Sequence, residues 1–122
     1  MEWNTITERI IAAAIEVHRH LGPGLLESIY ESALCVEFEQ LALKFENQKK
    51  IGVDYKGRRI GDYRIDFVVE NSIVVELKST EKHNPVFDAQ ILSYMRLGDY
   101  KLGLLINFNQ RLLKDGIKRF IL

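Results

Sequence analysis

An α/β fold in the order ααβββαβ, closed by one further short element, is what the sequence predicts. Three observations carry this. Apolar residues recur at helical spacing in 5–21, 26–42 and 86–97. They alternate at strand spacing in 59–69 and 73–78. The run 102–108, LGLLINF, is almost continuously apolar, as a strand covered on both faces should be. A central sheet with helices packed on it satisfies that order.

The first helix follows from Ile6, Ile10, Ala13, Val17 and Leu21, which recur at steps of three or four and make one apolar stripe. Thr5 or Thr7 is suited to cap its start, with Glu8 three residues after Thr5 as in a capping box. Gly22-Pro23-Gly24 ends it. Leu26, Ile29, Tyr30, Ala33, Leu34, Phe38 and Leu41 form the apolar face of the second helix. A first strand is expected over 45–55, and Lys56-Gly57 is a turn signal. Strands over 59–69 and 73–78 are separated by Glu70-Asn71-Ser72. Pro85 precedes the third helix, whose apolar positions are Val86, Ala89, Ile91, Leu92 and Met95, with Gly98 as its expected C-cap. The last element, 117–122, is compatible with helix or strand.

The 122 residues match the usual length of one domain. With 47% hydrophobic and 28% charged residues the chain is not disordered or fibrous. Its one cysteine, Cys35, excludes an internal disulfide and a multi-cysteine zinc site, so a reducing, cytoplasmic location is expected. The N-terminal apolar run Ile10–Ile15 is far short of the roughly 20 residues that span a bilayer, and no basic segment of a secretory signal precedes it. Net charge is zero, which argues against a uniformly basic nucleic-acid binder. The charge is uneven, however: residues 1–43 sum to −5, residues 44–64 to +4 and residues 65–122 to +1. The middle segment, with Lys44, Lys49, Lys50, Lys56, Arg58, Arg59 and Arg64, is suited to a phosphate backbone or to a solvated surface.

The informative stretch is 62–78, DYRIDFVVENSIVVELK. Its odd positions are apolar in both strands. Strand side chains alternate faces, so an antiparallel hairpin that buries both apolar sets on one face must pair odd with odd. A three-residue loop then sets Asp66 opposite Glu76 and Arg64 opposite Lys78, with Cβ atoms about 4.5–5.5 Å apart. One face carries core. The other carries two carboxylates with a lysine two residues on. Two carboxylates at that range repel unless a cation lies between them. Mg²⁺ takes one or two carboxylates together with waters and substrate phosphate, acidifies water and offsets charge on a phosphoryl oxygen. Lys78 can orient that water or stabilise the developing charge. The bland alternative is a solvated sheet face with a cross-strand ion pair.

Asp66…Glu76-Leu77-Lys78, followed by a helix carrying Gln90, resembles the PD-(D/E)XK nuclease superfamily. Gly24-Leu25-Leu26-Glu27-Ser28-Ile29-Tyr30 fits the GxxExxY pattern of one of its branches. The stretches YKGRRIGDYRIDFVVE, IVVELKS, AQILSYMRL and GLLINF extend the likeness over roughly 8–120. The resemblance implies a restriction-endonuclease-like core, a mixed four-stranded sheet flanked by helices, with a divalent-metal site at its edge. Asp66 and Glu76 are the implied metal ligands and Lys78 the catalytic lysine. Glu27 is the implied acid of the preceding helix, and Gln90 the polar helix residue beside the site, with Tyr94 one turn on. Ile65, not proline, precedes Asp66, a departure common in the superfamily.

The expectation is a Mg²⁺- or Mn²⁺-dependent nuclease acting on DNA, with a homodimer as the arrangement suited to duplex cutting. A second reading is a nucleic-acid-binding or self-assembling module with little turnover. Tyr30 is expected to be a packed ring with its hydroxyl on a polar neighbour. His18 and His20, two apart on a helix, point different ways, and His83 falls in the loop after the lysine strand.

Overall fold

The computed structural model describes residues 2–122. Three helices and five strands follow in the order α1 (Trp3–Leu21), α2 (Glu27–Gln40), β1 (Phe45–Tyr55), β2 (Arg58–Val69), β3 (Ile73–Lys78), α3 (Pro85–Gly98), β4 (Leu102–Asn107) and, after a 3₁₀ turn at Leu113–Gly116, β5 (Ile117–Ile121). The strands lie side by side in chain order in one sheet. β3 and β4 are parallel, joined through α3, and every other neighbouring pair is antiparallel. The architecture is the expected mixed α/β, restriction-endonuclease-like one, with a fifth strand where four were expected. The ambiguous C-terminal element is that strand. It completes the ladder of β4, from Leu102↔Ile121 to Ile106↔Ile117, and so satisfies a sheet edge.

Both sides of the sheet are covered. Phe67, Val69, Ile73, Val75, Leu77, Leu104 and Ile106 pack with Ile10, Val17, Tyr30, Leu34 and Phe38 of α1 and α2. Val68, Val74 and Leu105 pack with Ile91 and Met95 of α3 on the other side. The even-numbered face of the β2–β3 hairpin is therefore not a wet face along its length. It is core at Val68 and Val74, and polar only from Glu76 onward.

Two local expectations need correction. α1 begins at Trp3 behind Glu2, with no side-chain cap, so Thr5 and Thr7 lie inside the helix and Thr7 is buried. At the end of α3 the C-cap is Asp99, not Gly98, with φ 58° and ψ 42°. Gly98 is instead the last helical residue, and a Cβ there would come within 2.4 Å of the Tyr100 ring and 2.6 Å of Ile51, so close packing rather than turn chemistry calls for glycine. α3 starts as the Pro85 signal implies, with Asn84 Oδ1 accepting from the Val86 amide at 3.0 Å.

Candidate active site

The hairpin register is the expected one. Phe67↔Val75, Val68↔Val74 and Val69↔Ile73 all keep the pairing that would set Asp66 against Glu76. The regular ladder stops at Phe67↔Val75, and the two acids take over from it. The Asp66 amide donates to Glu76 Oε1 at 3.0 Å, and the Leu77 amide donates to Asp66 Oδ2 at 2.8 Å. Each carboxylate thus serves the backbone of the opposite strand where β2 and β3 part. Arg64 consequently does not face Lys78. It pairs with Lys50 of β1.

A change of facing in β2 accompanies this separation. Phe67 belongs to the α1–α2 side, whereas Ile65 belongs to the α3 side and Tyr63 meets the Tyr94 ring at a tilt, with ring centroids 5.4 Å apart. The simple odd–even alternation therefore breaks at Asp66. Across from that point, Gln48 of β1 adopts φ 55°, a left-handed conformation that costs a non-glycine residue energy. Its side-chain Nε2 donates to Glu31 Oε2 at 2.8 Å and to Asp66 Oδ1 at 3.4 Å, so the strained residue ties α2 to the β2 carboxylate.

Asp66 is half-buried and Glu76 only 7% exposed. Burial first, and then the Asp66 charge, push the Glu76 carboxyl up to about 9. Burial also raises Asp66, opposed by the Leu77 amide and reinforced by the charges of Glu31 and Glu27. Near neutral pH the pair consequently holds a proton. Lys78, next but one to Glu76 on β3, extends toward α3. Its Nζ donates to Gln90 Oε1 at 3.3 Å and stands 4.5 Å from the centroid of Phe87. Burial, followed by the Glu76 charge, raises the Tyr94 phenol, which places it in the same electrostatic neighbourhood.

Glu27 sits at the first turn of α2, exposed, with its charge felt at Asp66. Its position is set by the turn before it. Tyr30 is fully buried and stacks on Phe108 with centroids 4.4 Å apart. Its hydroxyl donates to the Gly22 carbonyl at 2.6 Å and accepts from the Leu25 amide at 3.1 Å. Gly24 supplies φ 97°. Ser79, just past Lys78, donates to the Leu25 carbonyl at 2.5 Å and fastens that turn to the end of β3. Gly24 and Tyr30 are thus the supports that bring Glu27 to the site's rim.

The structure gathers Asp66, Glu76, Lys78 and Gln90 and sets Glu27 beside them. Sequence reasoning missed Glu31, Asn47 and Gln48. Glu31 lies one turn after Glu27 on the same helix, and that spacing was a usable signal. Gln48 carried none, because its role depends on a backbone conformation peculiar to this strand. His83 faces the other way, toward Asp88, at 3.1 Å. It lines a cavity of about 200 Å³ with Lys78, Phe87, Asn107, Gln110 and Lys118, and neither Asp66 nor Glu76 is part of that lining. Cys35 is half-buried in α2 and takes no part.

Among the described residues, no group of three or more His, Cys, Asp or Glu side chains could by itself hold a metal ion. Two carboxylates held together, one of them kept protonated by burial and by its neighbour's charge, nevertheless fit a hard divalent cation that takes its remaining ligands from water and phosphate. Among the described residues no helix is long and apolar enough to cross a membrane.

The family model of the PD-(D/E)XK nuclease superfamily matches residues 4–120. No curated protein and no solved structure matches the chain.

Proposed function

Given that the chain belongs to the PD-(D/E)XK nuclease superfamily, whose members generally use divalent metals and act on nucleic acid, we propose that it is a Mg²⁺- or Mn²⁺-dependent nuclease hydrolysing phosphodiester bonds in DNA. The observation that carries the reading is the reciprocal bonding of Asp66 and Glu76, which holds two acids of adjacent strands together beside Lys78. The Gly24–Tyr30 segment supports placement in the GxxExxY branch, since its glycine and tyrosine build the turn that presents Glu27.

Asp66 and Glu76 would hold the cation. When bound, it supplies Lewis-acid polarisation of the scissile phosphate and lowers the pKa of attacking water. The protein's own residues do the rest. Burial of the pair keeps competing water away and strengthens every charge interaction at the site. Glu76 would bind the cation as its carboxylate, its proton passing to solvent. Lys78, held by Gln90 and the Phe87 ring, directs its ammonium toward the attacking water or the charge developing on phosphate oxygen. Glu27, at the rim, is placed to orient or accept a proton from that water. Residues 1–122 act as one nuclease domain in this reading.

The test is incubation of the wild-type chain and Glu76→Ala with plasmid, single-stranded and branched DNA in Mg²⁺. Cleavage by the wild type alone is expected. Equal cleavage by both would assign the activity to a contaminant.

The second reading, a binding module with little turnover, is favoured by one detail. Each site carboxylate already spends an oxygen on a backbone amide. Metal-independent binding to DNA without cleavage would decide for it.

A further inference from the structure

The β1–β2 hairpin runs well past the rest of the sheet. Only Phe67–Val69 of β2 pair with β3, whereas β1 and β2 stay paired from Phe45↔Val69 out to Tyr55↔Arg58. From Asp66 to Arg58 the ribbon is roughly 26 Å long at ~3.3 Å per residue. Its base rests on α3 through Ile51 and Tyr63, and every residue from 54 to 64 is exposed. The turn at its tip is tight, with φ of 49° at Lys56 and 79° at Gly57, the geometry suited to a twisted two-stranded arm.

Residues 49–64 hold six bases and two acids. The arrangement concentrates the bases further. Ile51 and Tyr63 face α3, so their neighbours Lys50 and Arg64 take the opposite face, and these two are direct cross-strand partners. Like charges placed opposite each other cost stability. Gly52 lies on that same face, and the guanidinium of Arg59 occupies the place a side chain there would fill: a Cβ on Gly52 would stand 2.2 Å from Arg59 Cζ. The face therefore carries Arg64, Lys50 and Arg59 in succession. Its acids are Asp62, 3.8 Å from Lys50, and Asp54, 2.5 Å from Arg59. Among the described residues Lys56, Arg58 and Arg64 make no ion pair.

We infer that this ribbon is the DNA-holding arm of the protein, seated in the major groove of a duplex with Arg64, Lys50 and Arg59 on its phosphates. The inference rests on the nuclease reading above for its choice of partner. Three features support it. The ribbon's β2 strand runs on through Asp66 into the sheet, so a duplex lying along the arm leads to the carboxylate pair. A two-stranded ribbon fits the major groove of B-DNA, about 12 Å wide, whereas the deep, narrow major groove of duplex RNA excludes it. The Lys50–Arg64 apposition, unfavourable in the free chain, is relieved by a polyanion.

The test uses the full chain carrying Glu76→Gln, so that the probe is not cut. Fluorescence anisotropy measures its affinity for a short DNA duplex, the matched RNA duplex and phosphatidylserine vesicles across a salt series. Adding Lys50→Gln, Arg59→Gln and Arg64→Gln should flatten the slope of log affinity against log salt for DNA by about 2.7, three contacts at ~0.9 each. Adding Asp62→Asn instead should tighten DNA binding several-fold, a gain that misfolding cannot produce. RNA duplex and vesicles should bind more weakly than DNA and respond little to these changes. An unchanged DNA slope in the triple variant, no gain from Asp62→Asn, or RNA or vesicles bound as tightly as DNA would overturn the inference. DNA binding that shifts as described in a chain whose wild type cuts nothing would sink the nuclease reading and leave the arm standing. Cleavage with an unshifted slope would do the reverse.

Discussion

Asp66 and Glu76 bind each other's strands. The Asp66 amide gives its hydrogen to Glu76 Oε1 at 3.0 Å, and the Leu77 amide, next to Glu76, gives its hydrogen to Asp66 Oδ2 at 2.8 Å. The exchange fixes two acids at the point where the sheet opens. Burial raises both carboxyls, with the Asp66 charge adding to the shift of Glu76, whereas the two amide bonds favour ionisation and only partly offset it.

The proton held by Glu76 makes the metal-free protein sensitive to alkali. Its carboxyl titrates near 9 in the fold against an ordinary value of 4.5. Between those values the folded chain binds more protons than the unfolded chain, so stability present below the lower value is lost as pH rises toward the upper one. Melting curves of the metal-free wild type should fall between about pH 5 and about pH 9. Glu76→Gln, which cannot ionise, should lack this contribution, so its advantage over wild type should widen with pH. A constant difference across the range would contradict the buried, proton-holding carboxyl.

Tyr30→Phe removes the hydroxyl that bridges Gly22 and Leu25 but keeps the ring on Phe108. Two backbone groups lose a partner in a part-buried turn. A loss of about 1–3 kcal/mol in denaturant unfolding is expected. DNA cleavage should fall beyond what the folded fraction explains, because the same turn carries Glu27. Unchanged stability would remove the hydroxyl's bracing role.

Glu31→Gln keeps the shape of the side chain that accepts from Asn47 and Gln48 while removing its charge. After burial and the Leu77 amide, the Glu31 charge is the next influence on Asp66, and it pushes the carboxyl upward. Asp66, followed by carbon-detected NMR, should titrate lower in the variant. Mn²⁺ affinity should also weaken, by less than in Asp66→Asn, as the field of the site loses one negative charge. An unmoved Asp66 titration would show that α2 does not act on the pair.

Gly116 and Gly103 should differ in their tolerance of alanine. A Cβ at Gly116 would stand 2.2 Å from the carbonyl oxygen of Asn107, a backbone atom. At Gly103 it would meet Met95 Sδ at 2.7 Å, the end of a flexible side chain. Gly103→Ala should cost about 1–2 kcal/mol and Gly116→Ala more, read from denaturant midpoints. The reverse order would contradict the packing of the 3₁₀ turn on β4.

Much of this was legible in the sequence, for identifiable reasons. Burial of Phe67, Val69, Ile73 and Val75 on one face demands a single hairpin register, and the register then carries Asp66 to Glu76 without further information. The Asn84-Pro85 start of α3 is equally local. What was hidden depends on tertiary context. The loss of alternation at Asp66 arises because Ile65 is drawn to α3 while Phe67 is drawn to α2, and no pattern in one strand announces two competing cores. The left-handed Gln48 belongs to the same distortion. β5 was ambiguous because Lys118 and Arg119 dilute a five-residue strand whose identity comes from the free edge of β4.

Isothermal titration of Mg²⁺ and Mn²⁺ into the wild-type chain and Asp66→Asn asks the central question without requiring turnover. A cation site at the carboxylate pair predicts saturable binding to the wild type, release of a proton near neutral pH as Glu76 ionises, and loss of both in Asp66→Asn. Equal heats from the two proteins, or binding without proton release, would contradict it.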